Sequence, residues 1–140
     1  MSDSFDRRKL EVFLALNTFG FGAWLLFSAD AMAGPPYRHL LALASEPGWG
    51  GMFLTNGLAH CLWLAVNGAR WWSPIVRFWA AFLSGGLYLV WSAAFAAYDP
   101  ASTAVYTYAA LSVGAFACCV FAWTDALTAV RLRRAVLDHA

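Results

Sequence analysis

Charged residues are scarce in this chain. They make up 12% of its 140 residues, which is about half the share usual in a soluble domain. Hydrophobic residues account for 61% and aromatic residues for 17%, and the mean hydropathy is +0.58. This composition favours a chain that lies in a lipid bilayer.

The chain also lacks the short motifs that carry most enzymatic chemistry. It has no glycine-rich nucleotide-binding loop, no nucleophile elbow, no cluster of carboxylates and no metal-ligand spacing. A bis-histidine haem needs two histidines at one depth, whereas His39, His60 and His139 lie far apart along the chain. We therefore expect a protein that is not an enzyme and that binds no cofactor and no metal.

What the chain does contain is four long apolar stretches. They lie near residues 10–29, 51–69, 75–97 and 103–124. Each has about the 20 apolar residues that a helix needs to cross about 30 Å of hydrocarbon. The sequence therefore predicts an all-α integral membrane protein with a single domain, residues 1–140, built as an up-down bundle of four transmembrane helices.

The first stretch also imitates a cleavable secretory signal. A basic start and an apolar run precede the string Ala31-Met32-Ala33, which resembles the Ala-x-Ala pattern before a signal-peptide cleavage site. The run is bulky for that purpose, however, with Phe19, Trp24 and Phe27. We interpret it as an uncleaved membrane anchor.

Basic residues lie almost entirely on one side of the four-span pattern. Eight of the nine flank the same ends of the spans: Arg7, Arg8, Lys9, Arg70, Arg77, Arg131, Arg133 and Arg134. Only Arg38 falls on the other side. Because positively charged loops stay in the cytoplasm, the sequence predicts a multi-pass protein of the bacterial inner membrane. Both termini are then cytoplasmic, the eight basic residues anchor the cytoplasmic face, and no nucleic-acid partner is expected.

The connections between the spans differ in length. About twenty residues join the first two spans, and within them Tyr37–Ala44 predicts two turns of helix lying in the outer interface. The other two connections are short, and each offers a helix cap followed by proline, Ser73-Pro74 and Asp99-Pro100. Such short links make neighbouring helices antiparallel and adjacent.

Two carboxylates near the ends of the spans have candidate ion-pair partners. Glu11 is expected to pair with Arg7 or Arg8, which precede it by about one helical turn. Asp125 is expected to pair either with Arg131 or with Arg77 across the cytoplasmic face.

Small residues recur at four-residue steps in the third and fourth stretches. They are Ala81 and Gly85, and then Ala110, Gly114 and Cys118. Helices in lipid associate through positions of this kind, where backbones approach closely. The pattern predicts packing within the bundle, with an interface between subunits as the alternative.

A polar row on the second stretch is the candidate functional feature. Asn56, His60, Trp63 and Asn67 recur at steps of four, three and four, which places them on one face of a helix. Asn17 on the first stretch is the candidate partner. Because unpaired amides are costly in hydrocarbon, the row faces protein or water. It predicts either hydrogen bonds between helices or a hydrated path gated by His60.

One segment of the chain resembles a known group of proteins. Residues 67–77, which follow Gly57 and Leu58 on a predicted helix, are similar to a segment of small multi-span membrane proteins of bacteriophages and prophages. Residues 36–37 and 49–50 are similar in character, so that the resemblance covers about a third of the chain. The resemblance implies a phage-related membrane role and no particular activity.

Three functions fit these features. The first is a non-enzymatic protein that self-associates, most concretely a holin-like pore-forming protein whose polar row lines water. The second is a structural or accessory subunit of a larger membrane or virion complex. The third is a small channel gated by His60.

Overall fold

The protein is an all-α chain, as predicted. The computed structural model describes residues 2–66 and 72–138, and no strand occurs within those ranges. The helices are α1 (Ser2–Phe27), α2 (Arg38–Leu43), α3 (Glu46–Ala65), α4 (Ser73–Tyr98) and α5 (Thr103–Asp138), with a 3-10 turn at Pro35–Tyr37.

The four long helices form an up-down bundle. Neighbouring helices run antiparallel, since Gly22 of α1 lies against Leu54 of α3 while Phe19 lies against Gly57. The contacts of α4 with α3 and with α5 follow the same antiparallel order. α1 packs against both α3 and α5 and so closes the ring. One end of the bundle, here named the basic end, carries the start of α1 and the basic part of α5; the other is the loop end.

Three of these helices are long and apolar enough to cross a membrane. They are Arg7–Phe27, Ser73–Tyr98 and Thr103–Arg131. α3 has 20 residues but is less apolar, because Glu46, Asn56 and His60 lie within it. The structure thus supports a membrane protein with three spans by length and composition, and a fourth span at α3 stays a prediction.

An aromatic core fills the loop-end half of the bundle. Phe53, Tyr88 and Trp91 are fully buried. Phe21 meets the rings of Phe53 and Trp91 edge-on, with centroids 5.0 and 4.8 Å apart. Such edge-to-face pairs contribute about 0.5–1.5 kcal/mol beyond their buried area. This half of the bundle is therefore closed by interlocked rings.

The long connection between α1 and α3 folds back over this core. Leu40 of α2 is fully buried, and the indole N–H of Trp49 donates to its carbonyl oxygen at 2.9 Å. The Glu46 carboxylate accepts the backbone N–H groups of Ala31 and Met32 at 3.0 and 3.2 Å. A helix was expected within this connection, and α2 occupies Arg38–Leu43; its location at a membrane interface stays a prediction.

The two predicted helix starts are wrong in detail. α4 begins at Ser73 itself, whose hydroxyl donates to the Trp63 carbonyl oxygen at 3.3 Å instead of capping the helix. α5 begins at Thr103, beyond Pro100, and the Ser102 hydroxyl accepts a backbone N–H from its first turn at 3.3 Å.

The closest approach between helices lies at glycines of α1 and α3. A Cβ atom added to Gly22 would overlap the backbone of Leu54, and one added to Gly57 would overlap the backbone of Phe19. A Cβ atom added to Gly50 would overlap the side chain of Leu26 instead. Removing the side chain lets the two backbones touch, which is how helices associate in lipid.

Four of the five predicted small-residue positions pack inside the bundle. They are Ala81, Gly85, Gly114 and Cys118. The expectation for Ala110 as bundle packing is wrong, because Ala110 is exposed. Two four-residue steps turn a helix face by about 80°, so the row spirals across α5 and its first member faces outward.

α5 is the longest helix and extends beyond the others. Its 36 residues span about 54 Å. Gly114 lies against Leu14, and Phe121 lies under the guanidinium of Arg7. This pairing brings the start of α1 level with Ala126, so the following turns of α5 project from the basic end.

Candidate functional site: the polar interior of the bundle

A buried ion pair joins α1 to α4 near the basic end. Two nitrogens of the Arg77 guanidinium donate to the Glu11 carboxylate at 2.6–2.9 Å. The two side chains are 3% and 2% exposed. Asp125 of α5 accepts from Arg77 at 3.3 Å and is 54% exposed. One guanidinium therefore ties three helices together, and two donors on one carboxylate fix its orientation.

This arrangement corrects two expectations. Arg77 was expected to anchor the cytoplasmic surface, yet it is the fifth residue of α4 and points into the bundle. Glu11 was expected to pair with Arg7 or Arg8 on its own helix, and it pairs with Arg77 instead. Arg7 and Arg8 are exposed, so an ion pair with either of them would lie at the surface. The pair of Glu11 with Arg77 is buried. Of the two partners expected for Asp125, the structure shows Arg77.

The other predicted basic anchors are at the basic end where they are described. Arg7, Arg8, Lys9 and Arg131 are exposed. Arg70, and the side chains of Arg133 and Arg134, lie outside what the structure describes. Arg7 lies over the ring of Phe121 at 5.1 Å, a geometry in which the ring face attracts the cation.

A chain of hydrogen bonds crosses the middle of the bundle. The Asn56 amide donates to the Ser84 hydroxyl at 2.8 Å and to a backbone carbonyl of α4 at 3.1 Å. Thr18 lies 3.4 Å from Ser84 and 3.1 Å from the Tyr88 hydroxyl, which donates to the amide oxygen of Asn17 at 2.8 Å. Asn17, the expected partner of the polar row, therefore reaches Asn56 only through three hydroxyl groups.

His60 is the least satisfied polar group of the row. It is 1% exposed, and neither ring nitrogen has a hydrogen-bond partner within the described residues. Unpaired buried polar atoms are rare in native proteins, so the position of His60 needs a physical account beyond packing.

The rest of the row behaves differently. Trp63 is half-buried and meets the Trp72 ring with centroids 4.5 Å apart. Asn67 lies outside the described residues. In the described part of the row, Asn56 forms hydrogen bonds between helices, His60 is buried without one, and Trp63 contacts another aromatic ring near the basic end.

Sequence reasoning missed Thr18, Ser84 and Tyr88 as members of this site. It also missed the Glu11–Arg77 pair, although a signal for it exists. Opposite charges occupy the second residue of the predicted first stretch and the third residue of the predicted third stretch. Alternate helices of an up-down bundle run parallel, so the two charges lie at the same depth.

Among the described side chains, which are those of residues 7–66 and 72–131, no three or more His, Cys, Asp or Glu come together in a way that would hold a metal ion. Comparison of the chain with protein-family models, with curated proteins and with solved structures gives no match.

Proposed function

We propose that this protein is a non-enzymatic, four-span protein of the bacterial inner membrane that works by self-association as a membrane-embedded subunit. The observation that carries the proposal is the outward face of α5. It is long, apolar and only slightly covered by the rest of the chain.

The fourth span is supported by where the polar groups of α3 point. Asn56 bonds to α4, His60 is buried, and the glycines face α1. The exposed large side chains of α3 are apolar, Met52, Leu58 and Leu62. Polar groups turned into protein are tolerated at membrane depth, so the lower hydropathy of α3 is compatible with crossing the bilayer.

The orientation follows from the charges. Arg7, Arg8, Lys9 and Arg131 are exposed at one end of the bundle, and loops rich in Lys and Arg stay on the cytoplasmic side. We therefore assign the basic end to the cytoplasm and the loop end to the opposite side of the membrane.

The association surface is the outward face of α5. Its exposed large side chains, Tyr106, Val113, Val120 and Trp123, are apolar or aromatic. The Thr107 hydroxyl donates to the Thr103 carbonyl oxygen at 3.0 Å, so it needs no hydrogen-bond partner on a neighbouring helix. Ala110 between them is small and exposed, which permits close approach of a second helix in lipid.

A holin-like pore is the less supported version of this proposal. It requires the polar row to line water after oligomerisation. Asn56 is hydrogen-bonded to α4, and α1, α3 and α4 share the hydrogen-bond chain, so opening would cost those bonds. The assembly of closed bundles needs no such rearrangement.

The test compares two alanines that are both exposed on lipid-facing helices. Wild-type protein in lipid bilayers is expected to form a discrete oligomer, counted by photobleaching of single labelled complexes. Ala110→Phe on α5 is expected to shift the count towards monomer because a large ring blocks close approach. Ala93→Phe on α4 is the matched control, and it should leave the count unchanged.

A wild-type protein that stays monomeric at all protein-to-lipid ratios would contradict self-association. Dye leakage from cells expressing the protein separates the two versions. Abrupt, timed leakage favours the holin-like pore, and oligomers without leakage favour a subunit made of closed bundles.

A further inference from the structure

An apolar groove runs between α1 and α3 in the half of the bundle nearest the basic end. It has a volume of about 310 Å³ and is lined by Val12, Ala15, Leu16, Cys61, Leu64 and Ala65. The groove opens where the close contact of the two helices at Gly22 and Gly57 ends. The groove exists because some of its lining side chains are small, namely Ala15 on α1 and Cys61 and Ala65 on α3.

An exposed cation precedes the groove on α1. Arg8 lies four residues before Val12, which lines the groove, so it is on the same side of α1 one turn nearer the basic end. Arg8 is exposed. Side chains on a helix lean towards its N-terminus, which for α1 is the direction of the basic end.

Two neighbouring charges are engaged elsewhere. Glu11 on α1 is buried and paired with Arg77. Arg7 faces α5, where its guanidinium lies over the ring of Phe121. The groove and its cation thus combine a place for a hydrocarbon chain with a positive charge where that chain would end.

We propose that this groove is a binding site for one anionic phospholipid, with an acyl chain between α1 and α3 and the phosphate at Arg8. The occupant is a lipid because the lining is apolar and the cation is at headgroup depth. It is an anionic lipid because the guanidinium favours a net negative headgroup. The inference rests on the proposed membrane insertion.

The experiment uses the full chain in nanodiscs of equal phosphatidylglycerol and phosphatidylcholine, followed by native mass spectrometry of the lipids it retains. Wild type is expected to retain phosphatidylglycerol in preference. Arg8→Gln should reduce that preference about fivefold, the value of about one cation at a membrane surface. Ala65→Phe should reduce retention of both lipids by filling the groove. Arg131→Gln is the matched control, since Arg131 is exposed at the same end but lies on α5, and it should change nothing.

Each other outcome overturns the site. Equal retention of the two lipids would show that the headgroup is not recognised, and equal losses in Arg8→Gln and Arg131→Gln would show only diffuse attraction. Loss of an oligomer in Ala65→Phe without lipid retention in wild type would mean that a second copy occupies the groove. Release of the protein from membranes by alkaline wash would refute the proposed membrane role as well, whereas inserted protein without lipid preference refutes the site alone.

Discussion

The Glu11–Arg77 pair is the interaction whose worth depends most on both partners being present. Desolvating two charges costs about as much as their attraction returns, but leaving one of them alone in the interior is strongly unfavourable. The pair therefore adds little net stability. It favours the one register of α1 against α4 in which the two charges meet.

Substitution of either partner tests this statement. Glu11→Leu and Arg77→Met are each expected to destabilise the protein by about 3–5 kcal/mol, read as a large fall in Tm in detergent micelles. The double variant should recover most of that loss because no charge is left buried. Asp125→Asn is the control, and as a half-exposed group it should cost about 1 kcal/mol or less. Losses that simply add in the double variant would contradict the account.

For His60, in contrast, we expect a substitution to raise the stability of the protein. Its two ring nitrogens have no hydrogen-bond partner among the described residues. Such burial carries a desolvation cost of about 1–3 kcal/mol, which a leucine of similar size would avoid. His60→Leu is therefore expected to raise Tm. A marked fall in Tm would show that the imidazole makes a bond that its surroundings in the isolated bundle do not reveal.

At the scale of the helices, glycine position decides how closely α1 and α3 pack. Gly57→Ala is expected to lower Tm, because its Cβ would overlap the backbone of Phe19. Gly51→Ala on the same helix is the matched control, since nothing lies within 4 Å of its added Cβ. That variant should be neutral or stabilising by up to about 1 kcal/mol through helix propensity. Equal effects of the two would argue against the glycine contact.

The presence and helical type of the long elements follow from the sequence, but their ends and the contacts between them do not. Apolar runs place α4 within two residues, whereas α1 begins eight residues and α3 five residues earlier than predicted, and α5 ends fourteen residues later. Gly20 and Gly22 look alike in the sequence, yet only Gly22 meets α3. Two residues turn the helix by about 200°, and which side meets a neighbour is set by the assembled bundle.

The polar interior shows the same limit. Asn56 and His60 were expected to face inward because their periodicity and hydration cost require it. Ser84 and Tyr88 were missed because hydroxyl groups occur on both buried and lipid-facing sides of apolar helices. Thr107, for instance, satisfies itself through its own backbone at 3.0 Å. Only the approach of α4 to α1 distinguishes a network member from a self-satisfied hydroxyl.

For the whole molecule, an even or an odd number of membrane spans decides whether the two ends of the chain lie on the same side. If α3 crosses the bilayer, the two ends of the chain lie on the same side, and if it does not, they lie on opposite sides. Reporter fusions at residues 1 and 140 are expected to report the cytoplasm at both ends. A reporter inserted at residues 99–102 should report the other side. Opposite signals from the two termini would leave three spans and remove the proposed arrangement of α3.

The separation of Glu11 and Arg77 in the sequence also determines when the buried ion pair can form during translation. Arg77 follows Glu11 by 66 residues, which a ribosome adds in about 3–13 s. During that interval the Glu11 carboxylate lacks its partner on α4. The contact between α1 and α4 can form only after Arg77 has been added, about halfway along the 140 residues, and α5 joins the bundle later still.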